Sequence, residues 1–124
     1  APPIIDLLYF DLRRDAYLIT FIPEDRVSRA EKEVLVVPSS GADGLRIRLR
    51  LERLGELLGK PVEKLFHAGG DNFGFYLSDG SSHQLPQDSA SEETTQEIYT
   101  QLQDLGMIAQ TAFLDQRSVR SQTA

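Results

Sequence analysis

The chain has no cysteine and no tryptophan, and a single methionine, among its 124 residues. Without Cys there are no disulfides and no thiolate metal sites, and no thiol from which to read a redox compartment. Unbroken apolar runs reach only four residues, as in Val34-Leu35-Val36-Val37, far too few for a transmembrane helix. No basic segment leads into an apolar stretch of secretory-signal length. Ala1 is compatible with Met removal or processing, and a cytoplasmic location is the expectation.

The most unusual absence is of positive charge. Residues 65–116 contain no Lys or Arg but eight acidic side chains: Asp71, Asp79, Asp88, Glu92, Glu93, Glu97, Asp104 and Asp115. Residues 1–64 carry eleven basic and eleven acidic side chains, and Arg117 and Arg120 follow the acidic stretch, giving −6 overall. Nothing in the second half can neutralise phosphates, so nucleic-acid binding there is disfavoured. The asymmetry reads as a match for a basic partner or for a basic face on the same protein, or else as a solvated, solubilising surface.

What is present is enough for one modest core: 40% of residues are apolar and 26% charged, the proportions of a single globular domain. The expected boundaries are one α+β domain over 1–114 and a frayed polar tail over 115–124. Residues 4–12 and 16–22 are rich in β-formers and read as a hairpin around Arg13-Arg14-Asp15. Pro23 to Lys32 suits a short helix, Glu33 to Val37 a strand closed by Pro38, and Ser39 to Gly44 a loop. Leu45, Ile47, Leu49 and Leu51 alternate strictly with Arg46, Arg48 and Arg50, which predicts a strand with all three guanidiniums on one face. Leu51, Leu54, Leu57 and Leu58 then take helical spacing up to Gly59, and Pro61 opens a further helical turn over Val62 to Phe66. His67 to Asn72 reads as a Gly-rich loop, Phe73 to Leu77 as an aromatic strand, and Asp79-Gly80 as a turn into His83-Gln84-Leu85. Ser89 and Glu92 have capping-box spacing ahead of a helix whose apolar face is Ile98, Leu102 and Leu105, with Gly106 as its stop. Met107 to Leu114 is assigned to a final strand. No internal repeat is visible. The pattern predicts a mainly antiparallel sheet with two or three helices packed on one face.

Three constellations carry the functional readings. The Arg46/Arg48/Arg50 row, extended by Arg53, has the chemistry to grip carboxylates or phosphates. Its alternatives are cross-strand pairing with acids such as Glu31 and Glu33, or contact with the acidic half of a second copy. His67, Asp71 and His83 are a candidate two-histidine, one-carboxylate set, although their spacing matches no helical metal motif. Tyr76, sent by alternation to the face opposite Phe73 and Phe75, is a candidate interface anchor if exposed. Gly69-Gly70-Asp71-Asn72-Phe73-Gly74 is neither a dinucleotide fingerprint nor a P-loop, and no serine lies in a nucleophile elbow.

The sixteen residues from Leu51 to Phe66 resemble the closing helices of phage-repressor-type helix-turn-helix domains. The DNA-reading part of such a domain would precede them, where this chain has a Gly loop and an alternating segment, so the resemblance brings no function with it. The leading expectation is a small, non-catalytic module without metal or cofactor. It would bind another protein through Arg46, Arg48, Arg50, Arg53 and Tyr76, with a homodimer as one form and neither nucleic acid nor membrane as partner. The second reading is a small enzyme or ligand-binding domain with a pocket near His67, Asp71 and His83. The third is anion or nucleic-acid binding through the arginine row.

Overall fold

A computed structural model describes residues 4–22, 34–69, 72–85 and 91–106. The protein is α+β. Six strands, β1 (Ile4–Asp11), β2 (Ala16–Ile22), β3 (Val34–Pro38), β4 (Val62–Gly69), β5 (Asn72–Leu77) and β6 (Ser82–Leu85), form one sheet in the order β3-β2-β1-β4-β5-β6. Every neighbouring pair is antiparallel. Helix α1 (Ala42–Leu58) connects β3 to β4, and helix α2 (residues 92–106) follows β6.

Period-2 alternation gives the sheet one strongly apolar face. Cross-strand register lines up Leu35, Ile19, Leu8, Leu65 and Phe75 in one row from β3 to β5, each at most 1% exposed. Ile47 and Leu54 of α1 and Ile98, Leu102 and Leu105 of α2 join them in a single core, so both helices cover that face. Burying each such side chain is worth about 1.5–3 kcal/mol. The β1–β2 turn lacks Gly, and Asp15 supplies the positive φ of 49° instead; Asp tolerates the left-handed region better than most residues.

The Leu45–Leu51 segment is not a strand. It lies inside α1, whose buried positions Gly44, Ile47, Leu54 and Gly55 follow a helical period. Leu and Arg are strong helix formers and Ile47 is the only β-branched residue there, so propensity opposes the seven-residue alternation. The loop expected over Ser39 to Gly44 is accordingly short, since α1 starts at Ala42. Gly59 ends the helix as expected, at φ 85° in the left-handed region. The helical turn expected over Val62 to Phe66 is instead the start of β4. Central placement explains this: β4 pairs on both edges, and that ladder overrides the local Pro-led helix signal. With that segment in a strand, the helix-turn-helix likeness fails. The Gly-rich loop shrinks as well, β4 running to Gly69 and β5 starting at Asn72. Ser91 caps α2: its Oγ accepts from the Thr94 N–H at 3.2 Å. The segments 23–33, 86–90 and 107–124, with the short helix, Ser89, final strand and tail assigned to them, lie outside the described residues, as do Glu31, Glu33 and Asp71.

The chain does contain a repeat, of structure. β1-β2-β3-α1 and β4-β5-β6-α2 trace the same path and meet antiparallel where Leu8 faces Leu65. Equivalent helix positions carry the same core residues: Ile47, Leu51, Leu54 and Gly55 in α1, and Ile98, Leu102, Leu105 and Gly106 in α2. Equivalent strand positions carry matching ring pairs. Phe10 and Tyr17 lie 5.2 Å apart, and His67 and Phe73 5.4 Å apart.

Two features can be tested by melting. A Cβ on Gly44 would lie 2.1 Å from the Pro38 carbonyl oxygen, a backbone atom, whereas one on Gly41 would lie 3.7 Å from it. Gly44→Ala is expected to cost about 1–3 kcal/mol by overpacking, while Gly41→Ala stays close to wild type in the same denaturant titration. At the β5–β6 turn, Asp79 accepts from Lys60 Nζ at 2.5 Å and from the Ser81 N–H at 3.0 Å. The Lys60 hydrogen bond, followed by those from Ser81, holds the Asp79 carboxyl well below its usual range. A carboxylate depressed in the folded state stabilises above its unfolded pKa of about 3.9, and that stabilisation fades as pH falls through and below it. Asp79→Asn should therefore melt below wild type at neutral pH, the gap closing as melts are repeated at progressively lower pH.

Candidate functional site

On α1 the arginines separate. At about 100° per residue, Arg46, Arg50 and Arg53 fall within one flank, and Arg48 turns to the other. The first flank faces α2. Arg50 Nη1 donates to Gln101 Oε1 at 3.0 Å and lies 3.2 Å from Asp104 Oδ2. Arg53 donates to Glu97 Oε1 through Nε at 2.7 Å and also through Nη2, and its Nη1 reaches Glu56 Oε2 at 2.8 Å. The contacts run 50 to 104 and 53 to 97, so the helices are antiparallel. The Glu97 and then the Glu56 hydrogen bonds raise the Arg53 pKa further above its already high value. The charge separation along the chain is thus partly closed within one molecule, by acids of α2. A continuous four-arginine surface does not exist: Arg50 and Arg53 are engaged, Arg48 lies 3.8 Å from Glu52, and Arg46 alone has no ion pair among the described residues.

The structure does not gather the histidines either. His67 on β4 registers with Phe73, and His83 on β6 registers with Phe75. The two positions are two strands apart, on the order of 10 Å across the sheet, with the Phe73 and Phe75 strand between them. Among the described residues no group of three His, Asp or Glu side chains is placed to hold a metal ion.

A different site emerges at the hairpin end of the sheet. The β1–β4 ladder consists of Leu7–Phe66, Leu8–Leu65 and Tyr9–Lys64 and then stops, although β1 continues to Asp11 and β4 begins back at Val62. The cause lies in β4, where the register slips between Val62 and Lys64, leaving Glu63 as the extra residue of a bulge that bends its strand away. Hydrogen-bond parity shows what this leaves open. The Ser39 N–H donates to the Asp15 carbonyl at 3.1 Å, so odd-numbered residues of β2 face β3 and even-numbered ones face β1. Through the β1–β2 register, Tyr9 and Asp11 then point their backbone groups at β2, and Leu8 and Phe10 point theirs at β4. Leu8 meets Leu65 there, and Phe10 meets the fork.

The fork opens into a groove of about 810 Å³, lined by Tyr9, Phe10, Leu12, Tyr17, Leu51, Val62 and Tyr76, among others. Phe10 is 37%, Leu12 86% and Tyr76 44% exposed. The walls carry balanced charge, Arg48 with Glu52 from α1 and Lys64 with Glu63 from β4. The Lys64 ammonium sits 5.5 Å from the Tyr9 ring centroid, a cation–π distance. Burial raises the Tyr17 hydroxyl above its ordinary pKa, with Arg48 opposing. Of the residues singled out from sequence, Tyr76 and Arg48 belong to the groove. Phe10 and Leu12 were missed because strand-forming composition made them look like core; the visible signal was Leu12 directly abutting the charged turn Arg13-Arg14-Asp15.

No protein family, curated protein or solved structure matches the chain. No helix among the described residues is long and apolar enough to cross a membrane.

The α1–α2 contacts can be measured directly. Both Arg50 and Asp104 are more than a third exposed, so a double-mutant cycle with Arg50→Ala and Asp104→Ala should return a coupling of about 0.2–1 kcal/mol that shrinks with added salt. A coupling of the opposite sign, or one that grows with added salt, would contradict this pairing.

Proposed function

We propose that this chain is a protein-binding module whose site is the groove at the β1–β4 fork, and that it takes an extended, largely apolar segment of another polypeptide. The observation that carries this reading is the early end of the ladder. Phe10 offers an N–H and a C=O in strand geometry with no strand opposite among the described residues, beside exposed Phe10, Leu12 and Tyr76 side chains. An extended segment paired along Phe10 gains main-chain hydrogen bonds, and its alternate side chains meet the apolar wall. The charges support a peptide over a polyanion. Each wall pairs one cation with one anion, so the groove has little net charge with which to hold phosphates. The basic partner suggested by the acidic stretch is less well supported, because Glu97 and Asp104 already bind arginines of α1.

Panning phage-displayed random peptides on the folded protein tests this. Enriched peptides should carry apolar residues at alternate positions and little net charge. Tyr76→Ala combined with Leu12→Ser should weaken them at least about tenfold, or ~1.4 kcal/mol; Leu12→Ser alone, at an 86% exposed side chain, should weaken them without lowering the melting temperature. No enrichment, or binding indifferent to both substitutions, would contradict the proposal.

A further inference from the structure

The two edges of the sheet differ. β6 ends it with Ser82 and Gln84 turned outward, and Gln84 already has a partner. β3 ends it with Val34 and Val36, which are 53% and 40% exposed. Parity from the Ser39–Asp15 hydrogen bond makes Val37–Tyr17 and Leu35–Ile19 the hydrogen-bonded pairs of the β2–β3 ladder. The backbone groups of Val34, Val36 and Pro38 therefore point away from the sheet; those of Val34 and Val36 have no partner among the described residues, and the Pro38 carbonyl accepts from the Gly41 N–H at 3.3 Å. Large β-branched side chains on an open edge strand are what soluble proteins ordinarily avoid by charge, proline, a bulge or a cover. Among the described residues β3 has only Pro38, at its far end, and Val34 and Val36 carry no such protection.

We infer that the β3 edge is a self-association surface, at which β3 of a second copy pairs antiparallel about a two-fold axis through Val36. The register makes the strand its own complement. Val36 exchanges both backbone hydrogen bonds with Val36 of the partner subunit. Val34 donates to the second lone pair of the carbonyl of the partner's Pro38, whose first is taken by its own Gly41 N–H, and the reverse. Pro38 has no N–H, and in this register the one group that lacks a donor as a result is the Val34 carbonyl at the outer end of the ladder. The exposed valines stack on the same face, Val36 against its own copy and Val34 against Pro38, as apolar cross-strand pairs. The chain already uses this kind of joint internally, where β1 and β4 meet antiparallel about Leu8 and Leu65. The two-fold places the helices of both copies on one face of a continuous twelve-stranded sheet. This surface is separate from the groove, at the opposite edge of the first three strands, so either assignment stands if the other fails.

The test is a charge exchange at the axis, read by sedimentation equilibrium across a concentration series. The wild-type protein should double its mass as concentration rises. Val36→Lys and Val36→Glu, which place like charges opposite each other across the axis, should each stay at monomer mass. An equimolar mixture of the two should regain the dimer, because Lys then faces Glu. Hydrogen exchange of the wild-type dimer should show new protection at the Val34 and Val36 amides. Unchanged melts for the single variants, expected because Val36 is exposed, would show that the loss is one of association. A wild-type protein that is monomeric throughout would overturn the inference. So would a Val36→Lys variant that dimerises by itself, or a mixture no heavier than its components.

Discussion

Three cross-strand pairs, Leu7–Phe66, Leu8–Leu65 and Tyr9–Lys64, join the two halves of the sheet. Among the described residues the halves are further united above the sheet, where α1 and α2 run antiparallel and bury Ile47, Leu54, Ile98, Leu102 and Leu105 against the central row. The joint must be short because each half twists and the bulge at Glu63 ends the pairing. A longer ladder would seal the fork and leave no groove. The proposed binding site is therefore a consequence of how the halves meet.

The repeat gives the charge pattern a physical meaning. Positions matched by the common Ile, Leu, Leu and Gly spacing hold Arg46 and Glu97, Arg50 and Gln101, and Arg53 and Asp104. Identical helices packed antiparallel would place like charges across the axis. Here the first half is basic where the second is acidic or neutral, so Arg50 reaches Asp104 and Arg53 reaches Glu97. Such exposed pairs add little stability. They favour one register of α1 on α2 over others that would leave Arg facing Arg, a contribution to specificity. The lack of Lys and Arg between residues 65 and 116 thus follows in part from a partner helix inside the same molecule.

How far the sequence revealed this depended on whether local and long-range preferences agreed. They agreed for β1, β2, β3 and β5, where β-branched or aromatic residues sit between turn signals, for β6, which the Asp79-Gly80 turn sends back along β5, and for the Ile98, Leu102 and Leu105 face of α2. They disagreed over Leu45 to Leu51. Seven residues of alternation there imitate a strand, while the helical set running from Gly44 through Ile47, Leu51 and Leu54 spans the longer window and prevails. They disagreed again over Val62 to Phe66, where pairing on two edges outweighs a Pro-led turn. With the arginines on a helix, the expected row disperses. Tyr76 does lie on the face opposite Phe75, as alternation along β5 required, and whether that face was exposed could not be read from the strand pattern. The groove was not legible, since it depends on where a ladder between residues more than fifty positions apart comes to an end.

Residue-resolved native-state hydrogen exchange on the β1 strand tests the central claim most directly. The Leu8 amide, directed at Leu65, should be strongly protected, and the Phe10 amide, directed at the fork, should exchange far faster than Leu8 although both lie within one strand. Equal protection at Leu8 and Phe10 would mean that the ladder continues past Tyr9–Lys64, that the fork is closed, and that the account is wrong.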